Sequence, residues 1–226
     1  MEKPHTSDIN GTTNNNKKTN QVVPPSQSIT SANSSKDTKD KVGKAQGIQS
    51  TKGHSLEDLF ENNLKDIYSG EKQLVAALPK VAEAAYSEDL QDAVREHLEQ
   101  TRRHVERLEK IFSRLGIEKN EEEKCLAMEG LIKECTRTIE EFDESPVRDS
   151  ALIINAQKIE HYEIAAYGSL CELADVLGLT GPLNLLERTL DEEETTDRNL
   201  TDIAKDINDE AFDQGERERG KTASQY

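Results

Sequence analysis

The chain has 226 residues, no Trp, 4% aromatic and 33% charged residues, and a formal net charge of −16. That length holds one domain of ordinary size plus tails, and the aromatic-poor, charge-rich balance suits a helical bundle rather than a sandwich or barrel. Residues 1–53 hold eight Lys against four Asp or Glu, a net of +4, so residues 54–226 carry −20. A surface that acidic argues against nucleic acid or anionic membrane as the partner of the folded part and is compatible with attracting cations.

No apolar run approaches the ~20 residues of a membrane span, and the N-terminus lacks the apolar core of a signal peptide. The three cysteines, Cys125, Cys135 and Cys171, are odd in number and form no CxxC pair. Cys125 and Cys135 lie on one predicted helix, roughly 15 Å apart by helical rise and too far for a disulfide. They read as small core residues in a reducing compartment, and a cytoplasmic location is expected.

Residues 1–53 are rich in Asn, Ser, Thr and Lys and show no period. Such a segment cannot bury enough apolar surface to offset its ordering entropy, so a disordered polar tail is expected. Order is expected from Ser55, an N-cap with Asp58 at the third helical position. The first long helix carries Leu56, Phe60, Leu64, Ile67, Glu71, Leu74, Leu78 and Val81 on one face. Pro79 predicts a bend, and the helix ends near Tyr86. Ser87 is the predicted cap of the second long helix, whose inner stripe is Leu90, Val94, His97, Thr101, His104, Leu108, Ile111 and Leu115, with Gly116 as its stop. The joint between these helices is so short that they must run antiparallel.

A long connection, Ile117 to Glu144, contains a shorter amphipathic helix with Cys125, Met128, Ile132, Cys135, Ile139 and Phe142 on one side. Ser145 and Pro146 then open the third long helix. Its stripe is Ile153, Ala156, Glu160, Glu163, Tyr167, Leu170, Ala174 and Leu177, and Gly178 stops it. After the turn LTGP, the fourth long helix shows Leu186, Leu190, Glu193, Asp197, Leu200, Ala204 and Ile207. From Asn208 the period is lost and fraying is expected, so the domain is placed at 54–209 and a disordered tail at 210–226. Connections that run short, long, short predict an all-α, ferritin-like antiparallel four-helix bundle with a crossover helix between the second and third long helices.

Each long helix sets polar, metal-capable residues in an otherwise apolar stripe. These are Glu71, His97, the pair Glu160 and Glu163, and the pair Glu193 and Asp197, with His104 competing for the place of His97. Counted from the turns, Glu163 and Glu193 share a height, whereas Glu71 and His97 disagree by about one to one and a half turns. A buried ionised carboxylate costs several kcal/mol unless it is paired, protonated or bound to a cation. Five carboxylates and an imidazole around one cavity therefore predict two bound ions, and oxygen and nitrogen donors favour iron or manganese. Bundles of this type usually carry Glu-x-x-His on two helices and a single Glu on the other two. Here neither the second nor the fourth long helix has that pair. Tyr68, Tyr162 and Tyr167 are read as partners of the carboxylates or as core, and His161 as a nearby donor or interface residue. Glu192 and Glu194 are read as a solvated face.

The segments SLEDLF, YSGEKQL, ALPK, HLEQT, CLAMEGLI, IEHYEIAAYGSL and TLDEEETTD occur in that order between Ser55 and Ile207. In these the chain resembles the bacterial YciE/YciF family of ferritin-like stress proteins. The resemblance implies a small cytoplasmic protein with a di-metal site, dimeric and linked to stress responses. Relatives often carry Glu where this chain has Gln100; if that Glu is a ligand in them, the resemblance implies a weaker site here or one holding a single metal. Two functional classes are expected: a di-metal protein that consumes peroxide or oxygen, and a non-catalytic helical stress or interaction module with a vestigial site.

Overall fold

The computed structural model describes residues 55–119 and 124–223; the tail at 1–53 lies outside the described residues. Five helices follow one another: α1 (Leu56–Ala84), α2 (Glu88–Leu115), α3 (Leu126–Glu141), α4 (Pro146–Val176) and α5 (Thr180–Ala223). Local chemistry sets most of their ends. Ser55 Oγ accepts from the Asp58 amide while Asp58 accepts from the Ser55 amide, a complete capping box. Gly116 and Gly178 take φ of 67° and 68°, the left-handed region that only glycine enters without cost. The amides of Ile117 and Leu179 then reach back to the carbonyls of Phe112 and Ala174. At Ser145 the hydroxyl accepts from the Arg148 amide, and Pro146 occupies the first helical position.

Ser87 departs from expectation, because its side chain makes no capping hydrogen bond. The joint just before α2 is instead held from α4. Asp149, fully buried, accepts from the amides of Tyr86 at 2.8 Å and Ser87 at 2.7 Å, and Arg148 donates to the Ala84 carbonyl. A carboxylate beside a helix N-terminus is also favoured by the helix dipole.

This clamp fixes the start of α4 against the α1–α2 joint. At the opposite end, Arg114 near the close of α2 donates to the Gly181 carbonyl at the start of α5. In the bundle α1 lies beside α2 and α4, α5 lies beside the same two, and α3 packs across α1 and α4. Each long helix thus runs opposite to both of its neighbours. The crossover must return the chain from the far end of α2 to the clamp, which explains its length.

The buried apolar residues form two clusters. One gathers Phe60, Leu64, Tyr68, Leu108, Phe112, Tyr167, Leu170 and Leu186. The other gathers Leu74, Leu78, Leu90, Val94, Met128, Leu152, Ile159 and Leu200. Along the bundle axis, the buried polar residues Glu71, His97, His104, Glu160, Glu163 and Glu193 lie between them. The C-terminus also departs from expectation: α5 does not fray at Asn208 but runs on to Ala223. Its last turns bury little, as the 65% exposed Phe212 shows, and they are supported by helix-forming residues and by i,i+3 pairs such as Glu216 with Arg219. No described helix is long and apolar enough to cross a membrane.

Candidate metal centre

Helical geometry dictates which acids converge. On α4, Glu160 and Glu163 sit at i and i+3 and share a face; on α2, His97 and His104 are two turns apart and share one also. Glu71 comes from α1 and Glu193 from α5. All six are buried, from 0% to 5% exposed. Their donor atoms fall into two groups, each within 4.8 Å: His97, Glu160, Glu163 and Glu193, and separately Glu71, His104 and Glu193. Donors that reach one ion at about 2.0–2.4 Å cannot lie more than roughly 4–4.8 Å apart, so both groups have suitable dimensions. Glu193 belongs to both.

His97 and His104, rivals for one place in the sequence, fall one in each group. The height disagreement between Glu71 and His97 was real. Glu71 faces His104, Nδ1 to Oε1 at 3.4 Å, while His97 faces Glu160, Nε2 to Oε1 at 3.4 Å. Asp197, by contrast, is not brought in. One turn beyond Glu193, it sits about 40° round the helix, at the α4–α5 seam, where it accepts from Gln157 at 3.2 Å and faces the exposed His161 at 3.4 Å. Thr196, at i+3, takes the inward position and donates to Gln100. Among the described residues, the buried groups that could hold an ion comprise four carboxylates and two imidazoles. Thr101-x-x-His104 and Glu193-x-x-Thr196 each keep one half of a Glu-x-x-His pair.

The two groups differ in support. His104 Nε2 lies 3.0 Å from Glu192 Oε2, and Arg107 holds the same carboxylate in a fork at 2.8 and 2.7 Å. This turns His104 Nδ1 toward Glu193 and Glu71, the arrangement in which a carboxylate behind an imidazole fixes its tautomer and aim. Tyr167 donates to Glu71. Glu192 is thus no solvated face. The signal in the sequence was Arg107, three residues after His104 and therefore on the same side of α2, needing an acid opposite. Tyr162 and Tyr68 point elsewhere. The first donates to Asp66 at 2.8 Å and lies 2.9 Å from Cys125 Sγ, and the second donates to Glu109.

Electrostatics follow this division at His104 and Glu193 but not at Glu71, which burial raises despite His104 and Tyr167 beside it. Burial alone would lower His104, but the charge on Glu71, the hydrogen bond to Glu192 and the nearby Glu193 carboxylate push it up to about 11. Burial would raise Glu193, yet His104 holds it below the usual range. Glu160 and Glu163 have no cation beside them. Burial, then neighbouring acids, push both well above the ordinary carboxylate value. Burial likewise lowers His97. Of the ten buried side-chain polar atoms without a hydrogen-bond partner among the described residues, nine belong to these six residues. His104 Nδ1 and Glu193 Oε1 count among them at 2.8 Å separation, close enough to attract but poorly aligned to bond.

Residues 55–212 match the family model described as "Domain of unknown function (DUF892)". Protein YciF of Escherichia coli (strain K12) is 47% identical over 150 residues, covering 66% of this chain and 90% of that protein. Among solved structures, the E. coli stress protein YciF superposes with a TM-score of 0.67 at 44% identity, over 70% of this chain and 99% of its own. YcfI from Rhodopseudomonas palustris gives 0.64 at 40% identity, over 67% and 96%. A Xanthomonas campestris pv. campestris protein at 16% identity, TM-score 0.58, over 72% and 99%, shares the fold.

Proposed function

The chain is a member of the DUF892 family and a relative of YciF, and from that premise we propose that it is a cytoplasmic stress protein holding two iron or manganese ions. His97, Glu160 and Glu163 would hold one ion, Glu71 and His104 the other, with Glu193 shared between them. The observation that carries this reading is the set of nine buried polar atoms without a hydrogen-bond partner, all on six residues from four helices. Native interiors satisfy nearly all such atoms, and an orphaned cluster of anionic and imidazole donors matches what a divalent ion requires. A metal pair of this kind supplies the redox capacity to consume peroxide or oxygen. The chain's own contribution is to orient His104 through Glu192 and Arg107, to fix Glu71 through Tyr167, and to shield the donors from bulk water with an apolar cluster on each side. Exposed Val147 and Ile154, two turns apart on one face of α4, offer an apolar contact for a homodimer.

Melting curves of the full chain with chelator and with iron(II) or manganese(II) test this. Metal at a hundredfold excess over Kd should stabilise the protein by about 2.7 kcal/mol. In Glu163→Ala that shift should vanish while the chelated protein stays as stable or gains, because both oxygens of Glu163 lack a hydrogen-bond partner. Identical curves for the unaltered chain with and without metal would leave the non-catalytic helical module as the reading.

A further inference from the structure

A cavity of about 420 Å³ runs through the cluster that contains Leu78 and Val94. All five helices wall it, through Leu78, Val94, Ile132, Ile139, Ile159 and Leu200 among others. His97 and Glu160 form its polar floor, and the exposed side chains Lys80, Glu96 and Asn199 mark its rim. The volume falls within the ~300–1,000 Å³ typical of small-molecule sites. Protein interiors are otherwise close-packed, and a void of this size deprives its lining of dispersion contacts that a guest would restore. Water is a poor guest against aliphatic walls, since it needs two to four polar partners. The floor has such partners to offer: both ring nitrogens of the 5% exposed His97 and Oε2 of the 1% exposed Glu160 have no hydrogen-bond partner.

We propose that this cavity binds an aliphatic molecule with a neutral oxygen head group, its chain against the aliphatic walls and its head at His97 and Glu160. The argument for a neutral head is the charge distribution. Glu160 stands on the floor beside the imidazole of His97, whose basicity burial lowers, and Glu96 at the rim, while the one Lys or Arg among the described lining residues, Lys80, is out at the exposed mouth. An anionic head would meet an acid and no cation. The inference goes beyond the metal reading and touches it only through the two floor residues.

The test is calorimetric and thermal titration of the full chain with 1-decanol, chelator present throughout, with decanoate as the charged comparison. One saturable equivalent of decanol per chain with a raised melting temperature is expected, and decanoate should bind roughly tenfold or more weakly, because its charge would be desolvated beside an acid. Ala93→Leu, which fills the cavity from α2, should abolish decanol binding; Ala156→Leu does the same from α4 should the first variant fail to fold. Absence of saturable decanol binding, binding unchanged in the filled variants, or decanoate binding equally well would overturn the proposal. Decanol binding in a protein that takes up no metal would refute the metal centre and leave the cavity proposal standing.

Discussion

Where α2 and α4 end, four aromatic rings, Phe60, Tyr68, Phe112 and Tyr167, fill the core, and Tyr68 and Phe112 meet edge to face at 5.3 Å. Where those helices begin, the buried cluster contains no aromatic ring and lines the cavity. The same contrast divides the donors between the two ends. Glu71 and His104 each have one side-chain atom held, by Tyr167 and by Glu192 with Arg107 behind it, whereas both ring nitrogens of His97 and both oxygens of Glu163 lack a partner, and His97 and Glu160 face the cavity. One half of the site is pre-oriented and the other is accessible. A cluster gripped on both sides would exchange nothing with its surroundings, and one gripped on neither would lose its aim.

The largest test of this contrast is in the packing. Phe112→Ala should cost about 3–5 kcal/mol, because a well-filled core loses a ring and cannot collapse around the gap. Leu78→Ala, on a wall that already borders open volume, should cost about 2 kcal/mol, the low end for its type. Urea denaturation of both variants measures the difference, and equal losses would show that the two ends are packed alike.

A smaller effect should come from releasing the grip on His104. Glu192→Ala removes the acceptor behind Nε2 and should weaken metal affinity 10–100-fold, about 1.4–2.8 kcal/mol. Titration with manganese(II) reads this directly. Unchanged affinity would mean that His104 is aimed by packing alone.

The smallest effect is that of pH on the chelated protein. His104 is raised in the folded state to about 11, so its stabilisation is complete below the unfolded value near 6.5 and lost as pH rises toward 11. Glu160 and Glu163, also raised, retain protons that the unfolded chain has released above about 4.5, and this again lowers stability as pH rises. The melting temperature in chelator should therefore fall from pH 6.5 to 9. The metal-induced increase should grow over the same window, because protons compete with the ion for the donors. Calorimetry at several pH values, with and without metal, checks both slopes. A chelated protein that becomes more stable toward pH 9 would contradict the assigned shifts.

Much of this architecture was written in local signals. Ser55 with Asp58, Gly116, Ser145 with Pro146 and Gly178 each fix a helix end through their own backbone chemistry, so the element order was readable. Glu71, Glu160, Glu163 and Glu193 stood out as charges on apolar stripes. What depended on the turn between two helices was harder. Uncertainty of a turn or more along α2 left His97 and His104 as rivals, and the roughly 100° step on α5 separates Thr196, which points in, from Asp197, which does not. Glu192 was hidden because its partner Arg107 lies on another helix, 85 residues away. The Asp149 clamp was hidden for the same reason: its acceptors and donors meet across a separation of about sixty residues. The C-terminal extent of α5 was missed because charged surface residues give no apolar period, although they are good helix formers.

That clamp has a consequence for how the molecule assembles. The α1–α2 hairpin is local in sequence and can form early, but its joint has bare amides at Tyr86 and Ser87 until Asp149 arrives from beyond the crossover. A buried amide without an acceptor is costly, so the first hairpin cannot bury its own turn unaided. Closure of the turn and docking of α4 become one event, with its loop-closure entropy incurred before the reward. The clamp thus ties the stability of the first hairpin's turn to the presence of the second hairpin, and the six candidate donors are drawn from both.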